Sequence, residues 1–354
     1  MIRDNLSRLQ DFVKSARLSC IIIPGIDSTI PDIYYYTGLE DRCLSFLIVT
    51  KNDTILYCWD HDKARKDSNV KKVISIYDMK LSDVIKNIEA DKGRIGISFE
   101  TPHKIIKNLK DKLPKADFID ISESLSKLRS IKKEYEIDKI RQACRITDSL
   151  FKYIRSENIK NFNEKQIAFD ITELAARKGY HLTTNIVIAG DASSAEMHHI
   201  PQLKKFKENL LIDIGVINGG YRSDAARTFV VGEDRKIMDA KNALLRIHDA
   251  LDDYIEEGMI ISELCNFTKD RLKAEGYDSS GYFNFHALGH GVGLEDHETP
   301  HISHGNNSIL EKNMIIAIEP GIYFPSKFGV RLEDTILIKK KGIERLTKFP
   351  LNLN

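Results

Sequence analysis

The stretch LLIDIGVINGGYRSDAARTF, residues 210–229, constrains this chain more than any other, because it places two aspartates where a hairpin should bury valine. Asn218-Gly219 between apolar runs is a strong hairpin signal, since a two-residue type I′ turn needs positive φ at both central positions. With those residues as the turn, positions whose numbers add to 437 face each other, and Asp213 stands opposite Asp224. Directly opposed residues share a face, with Cβ atoms about 4.5–5.5 Å apart. Two ionised carboxylates at that spacing repel unless a cation or a shared proton lies between them. The hairpin alone leaves a second reading open, in which an aspartate sits at a solvated strand end or a bulge breaks the register.

The C-terminal part repeats the theme. FHALGHGVGLEDHETPHISH holds five of the eleven histidines, His286, His290, His297, His301 and His304, in a glycine-rich run suited to turns that aim side chains inward. In MIIAIEPGIYFPSKFGVRLEDTILI a loop centred on Ser326 sets Glu319 opposite Glu333, and both interrupt β-rich runs. Two carboxylate pairs with an imidazole form a hard, oxygen-rich ligand set that suits Mn²⁺, Co²⁺ or Zn²⁺ better than a thiolate-type structural zinc does. Carboxylates able to bridge would hold two metals about 3.5–4 Å apart, an arrangement that polarises a carbonyl and activates water.

The rest of the chain sets the frame. At 354 residues with 42% hydrophobic content, it has length for two domains, each with its own core. Residues 1–125 alternate short helical and β-rich runs, an α/β pattern. From Glu134, apolar residues at Ile137, Ile140, Cys144, Thr147, Phe151 and Ile154 have helical spacing, and the preceding Arg129-Ser130-Ile131-Lys132-Lys133 reads as a junction. A second helix runs from Glu164, capped by Asn163 and ended by Gly179. The 126–354 part reads as α+β, with antiparallel strands carrying the chemistry.

Charge is nearly balanced, 53 basic against 52 acidic residues, so nothing demands nucleic acid or an anionic membrane as partner. No apolar run approaches the roughly 20 residues of a membrane helix, and the start MIRDNLSRLQ is unlike a secretory signal, which points to the cytoplasm. Five scattered cysteines without a C-x-x-C pair read as buried thiols. Trp59, the only tryptophan, reads as core or interface of the first domain. The GHGVG glycines match no nucleotide-loop pattern.

The ordered contexts LIDIG, YRSDAARTF, LGHGVGLEDHE, IEPGIY and GVRLEDTILI resemble the pita-bread metallopeptidases: prolidases, aminopeptidases P and methionine aminopeptidases. RLQDFVKSARLSCIIIPG and YYYTGLEDR are similar to the N-terminal domain of the Xaa-Pro members, and LRSIKKEYEIDKIRQA to the helix that opens their catalytic domain. The resemblance implies an α/β N-terminal domain followed by an α+β pita-bread domain with a curved antiparallel sheet. It implies two divalent metal ions, Mn²⁺ or Co²⁺ first and Zn²⁺ as the alternative, with Asp213 on one, His290 and Glu319 on the other, and Asp224 and Glu333 bridging. Glu319 is then also the general base. His198, in SSAEMHHIP, and His297 would bracket the substrate carbonyl or tetrahedral intermediate, with His199 a neighbour whose role could be exchanged with that of His198. His286 matches a proton-shuttling position, and Arg331 an arginine that positions acidic groups.

Two departures stand out. Ala226 replaces a threonine common in the family, removing a hydroxyl beside the ligands. HETPHIS puts His301 where some prolidases carry an arginine suited to a dipeptide's carboxylate, although His301 and His304 read otherwise as surface residues. The expected activity is hydrolysis between an N-terminal residue and proline in a small peptide, by a homodimer, with dipeptides preferred. Cleavage of longer Xaa-Pro peptides is the alternative, and a catalytically inactive binding protein on the same fold, or a creatinase-like hydrolase without this metal set, are the rivals.

Overall fold

The computed structural model describes residues 2–26, 30–40, 44–157, 159–277 and 287–352. The chain forms two compact units, dividing between Arg129 and Ser130.

In the first unit a six-stranded mixed sheet runs, in spatial order, Lys72–Ser75, Thr54–Cys58, Ser45–Val49, Cys20–Gly25, Arg94–Ile97 and Asp117–Asp120. Cys20–Gly25 is buried along its whole length, which is why it reads CIIIPG instead of alternating with polar residues. Helix Ser122–Ser130 extends this unit beyond residue 125: Leu125 is buried, Tyr35 donates to the Leu128 carbonyl at 3.0 Å, and Arg129 lies 3.2 Å from Asp32. Trp59 is not in the core. It is 52% exposed, because it follows the last residue of its strand, where the backbone leaves the sheet.

The second unit is α+β. Helices Glu134–Ser156, Glu164–Arg177, Arg235–Tyr254 and Ile261–Ala274 accompany strands that pair antiparallel throughout. The six residues read as the apolar face of the first helix are all buried. Asn163 caps the second helix, accepting from Gln166 N at 3.0 Å while Gln166 returns the bond at 2.9 Å, and Gly179 leaves it at φ +83°. Three strands, Val187–Gly190, Asn209–Ile214 and Ala225–Val230, form one sheet. A five-stranded sheet is ordered Glu298–Ile302, Gly289–Gly291, Ile315–Ile318, Asp334–Ile338, Ile343–Arg345.

The registers decide where the carboxylates go. Every pair flanking Ser326 adds to 652, from Phe324–Phe328 to Ile318–Asp334, so the loop is centred on Ser326 and Glu319 is level with Glu333. The first hairpin differs from the sequence expectation. Its turn is Gly219-Gly220, both with positive φ, and its pairs add to 439, so Asp213 faces Ala226 instead of Asp224. A second glycine takes the left-handed conformation at no side-chain cost, and asparagine moves back into the strand. Shifting a two-residue turn by one position changes the register by two, which preserves the face of every side chain. Asp224 is thus diagonal to Asp213 and still on its side.

Candidate metal centre

One cavity of about 220 Å³ is lined by Asp213, Asp224, His290, Glu319, Glu333, Arg331, His198, His297 and His301. His286 lies outside the described residues. Three groups of side chains bring their ligand atoms within 4.8 Å of one another: Asp213, Asp224 and Glu333; His290, Glu319 and Glu333; and Asp224, His290 and His297. The last group adds His297 to the possible ligands, whereas the resemblance implies only a substrate contact for it. The groups share members, as a two-ion centre with bridging carboxylates requires.

Asp213 and His290 lie within strands, and Asp224, Glu319 and Glu333 each adjoin a strand end. The His290 Nδ1 lies 3.1 Å from the Gly291 carbonyl, leaving Nε2 toward Asp224 and Glu319, 3.7 Å from each. Donation from one ring nitrogen presents the other as a ligand. The Asp224 backbone is clamped by Thr335, whose hydroxyl accepts from its N–H at 3.0 Å and donates to its carbonyl at 2.6 Å. Arg227, buried behind the strands, donates to the carbonyls of Ala226 at 2.9 Å and Glu333 at 2.5 Å. Thr335 was legible in principle, lying two residues past Glu333 and so on the same face of an extended strand.

The charges do not balance. Arg331 reaches Asp213 at 3.0 Å and Glu319 at 3.5 Å, one cation against four carboxylates. Burial, then repulsion from Asp213 and Glu319, pushes the Asp224 carboxyl well above the usual carboxylate range. Glu333 is raised in the same way by burial and then by Asp224, and its Oε2 is buried without a hydrogen-bond partner among the described residues. Burial also raises Asp213 and pushes Glu319 up to about 7, against the pull of Arg331. His290 is pulled down to about 3 by burial and by His297, which favours the neutral ring that metal ligation needs. Divalent cations would relieve both the repulsion and the orphaned oxygen, so these residues fit a metal pair.

Around this cluster, His198 and His301 line the cavity from its exposed side. The His297 ring lies 4.1 Å from that of His290. His199 is buried elsewhere, between Glu164 and Glu196, and His304 is an exposed partner of Asn266. Three polar lining residues escaped the sequence reading: Asp296, paired with Arg222 at 2.8 Å, together with Thr183 and Asn185. Asp296 stood inside the histidine motif, but Thr183 and Asn185 carry no spacing signal.

A family model described as Metallopeptidase family M24 matches residues 138–340, and one described as Creatinase/Prolidase N-terminal domain matches residues 5–131. The chain is 30% identical to an Xaa-Pro dipeptidase of Pyrococcus horikoshii across 98% of each chain. It is 31% identical to an Xaa-Pro dipeptidase of Pyrococcus furiosus, across 90% of this chain and 91% of that one. The solved structure of the prolidase from Pyrococcus horikoshii superposes with a TM-score of 0.90 at 30% identity, covering 99% of this chain and all of that one.

Proposed function

The chain belongs to metallopeptidase family M24, and from that premise we propose that it hydrolyses the bond between an N-terminal residue and proline, with dipeptides as preferred substrates. The observation that carries this reading is the convergence of Asp213, Asp224, Glu319 and Glu333 with His290 and Arg331 on a single small cavity. Asp213 would hold one ion and His290 and Glu319 the other, with Asp224 and Glu333 placed to serve both. Manganese or cobalt suits this oxygen-rich set first, with zinc as the alternative. When bound, the ions polarise the scissile carbonyl and lower the pKa of a water.

The remaining chemistry falls to the chain's own groups. Glu319 takes the proton of the attacking water and returns it to the leaving proline nitrogen. His198 and His297 donate to the oxygen that gains charge as the carbonyl becomes tetrahedral. Arg331 keeps Asp213 and Glu319 oriented, and His286 relays protons. Apart from Arg331, which is engaged, the described lining residues include no lysine or arginine, so a dipeptide's carboxylate falls to His301 and its neighbours. The buried thiols of Cys20, Cys58, Cys144 and Cys265 suit a reducing cytoplasm, and we place the enzyme there as a homodimer.

Metal-stripped protein given Mn²⁺, Co²⁺ or Zn²⁺, with Ala-Pro, Met-Pro and Ala-Pro-Ala as substrates and products read by mass spectrometry, tests the assignment. Metal-dependent cleavage of the dipeptides with the tripeptide intact is expected. Release of alanine from the tripeptide would make it an aminopeptidase for longer chains. Silence with every metal would favour a binding protein.

A further inference from the structure

We propose that His199 is a positioning residue: its ring, held between Glu164 and Glu196, closes the turn that presents His198 to the cavity. This rests on the reading of His198 as a substrate contact and adds what holds that contact in place.

Glu164 opens the helix Glu164–Arg177, and its side chain is fully buried. Its Oε1 accepts the Gly190 N–H at 2.9 Å and its Oε2 the Gln202 N–H at 3.0 Å, so one carboxylate ties down both ends of the 190–202 segment. The His199 Nε2 lies 2.8 Å from the same Oε2. Across the ring, Nδ1 lies 2.8 Å from Glu196 Oε2, and the His199 N–H donates to the Glu196 carbonyl at 3.3 Å. Residues 196–199 thus form a turn closed twice, by backbone and by side chain, with Met197 and His198 at its centre. From the cavity side, Arg331 donates to the Met197 carbonyl at 3.2 Å. His198 therefore projects from a turn pinned on one side by an arginine that also contacts Asp213 and Glu319, and on the other by the His199 ring.

A carboxylate faces each ring nitrogen, so both nitrogens donate only in the imidazolium form. A buried imidazolium with two carboxylates is a costly way to fill space, since an apolar side chain would pack there without a charge to desolvate. What the ion triad adds is direction. Rotating the ring would break two charge-assisted bonds together and release the turn that carries His198.

A double-mutant cycle on the metal-loaded enzyme separates positioning from general support. His199→Phe keeps the ring volume and removes both donors, and kcat for Ala-Pro should fall about tenfold while KM moves less than about twofold. In a His198→Ala background the same change should alter kcat less than about twofold. Equal losses in both backgrounds would overturn the proposal. His199→Gln, which keeps one donor toward Glu164, should recover part of the loss. Because His199→Phe could fail to fold, Glu196→Gln on the exposed arm repeats the cycle with a smaller effect of the same pattern. Hydrogen exchange at the Gln202 amide reads the clasp without turnover. Faster exchange in His199→Phe is expected, and unchanged exchange would sink the clasp whatever the enzyme cleaves. Full activity in His198→Ala would remove the substrate contact, and the positioning role with it, while leaving metal-dependent hydrolysis standing.

Discussion

At the scale of single residues, Glu333 concentrates the logic of the centre. It is buried, faces three other carboxylates, and keeps one oxygen without a hydrogen bond among the described residues. Glu333→Gln preserves shape and removes charge. Metal-dependent hydrolysis should fall by about 100-fold or more, and the ions retained after gel filtration should drop from two toward one. The metal-free variant should melt higher than the metal-free parent at neutral pH, because folding no longer has to bury that charge or take up a proton to neutralise it. Two tightly held ions with full activity would remove Glu333 from the bridge. Such residues were legible because a carboxylate inside a β-rich run demands a reason. His198 and His199 were harder to separate: adjacent histidines look alike in sequence, and only the burial of His199 against Glu164 distinguishes them. For Trp59, of the two readings, core or interface, the exposure of the side chain one residue past a strand end removes the core.

At the scale of elements, the active geometry is a matter of register, and the two hairpins show what sequence can tell about it. Glu319 and Glu333 were placed correctly because the loop has one centre, Ser326, which takes φ +61°. Asp213 and Asp224 were placed one diagonal out because Asn218-Gly219-Gly220 offers two adjacent turns, and choosing between them depends on neighbours such as Lys139, whose carbonyl accepts from the Asn218 side chain at 3.0 Å. Ser326→Val, a β-branched residue in a left-handed position, should cost about 1–2 kcal/mol in urea unfolding. Ser326→Gly should stay within about 1 kcal/mol of the parent, and equal costs for the two would show that the backbone angle is not what matters. Behind the sheet, Arg227 ties Ala226, Glu333, Asp334 and Phe349 together through one guanidinium. A lysine offers no planar fork, so Arg227→Lys should cost about 3 kcal/mol although the charge is kept. Unfolding within about 0.5 kcal/mol of the parent would show that the fork carries no weight.

At the scale of the whole molecule, stability and metal loading are linked through protons. Burial pushes Asp334 up, but Arg227 and Arg345 outweigh it and its folded pKa is lowered. That contribution is present above the unfolded carboxylate value of about 4 and lost as pH falls through the folded one. Burial pulls His199 down, but the bonds to Glu196 and Glu164 outweigh it and its folded pKa is raised. Its contribution is present below the unfolded value of about 6.5 and lost as pH climbs through the folded one. The metal-free centre adds a third slope. Asp213, Asp224, Glu319 and Glu333 are all raised, so the folded state holds more protons than the unfolded one and loses stability as pH rises above about 4. Ions that replace those protons cancel this slope, and an ion at 100 times its Kd adds about 2.7 kcal/mol. Metal removal should therefore lower the melting temperature more at pH 8 than at pH 5, since protons compete with the ions at the lower pH. Differential scanning calorimetry of the loaded and stripped protein at the two pH values measures the gap. A gap that is equal at both, or wider at pH 5, would mean that the carboxylates read here as metal ligands do not exchange protons for metal.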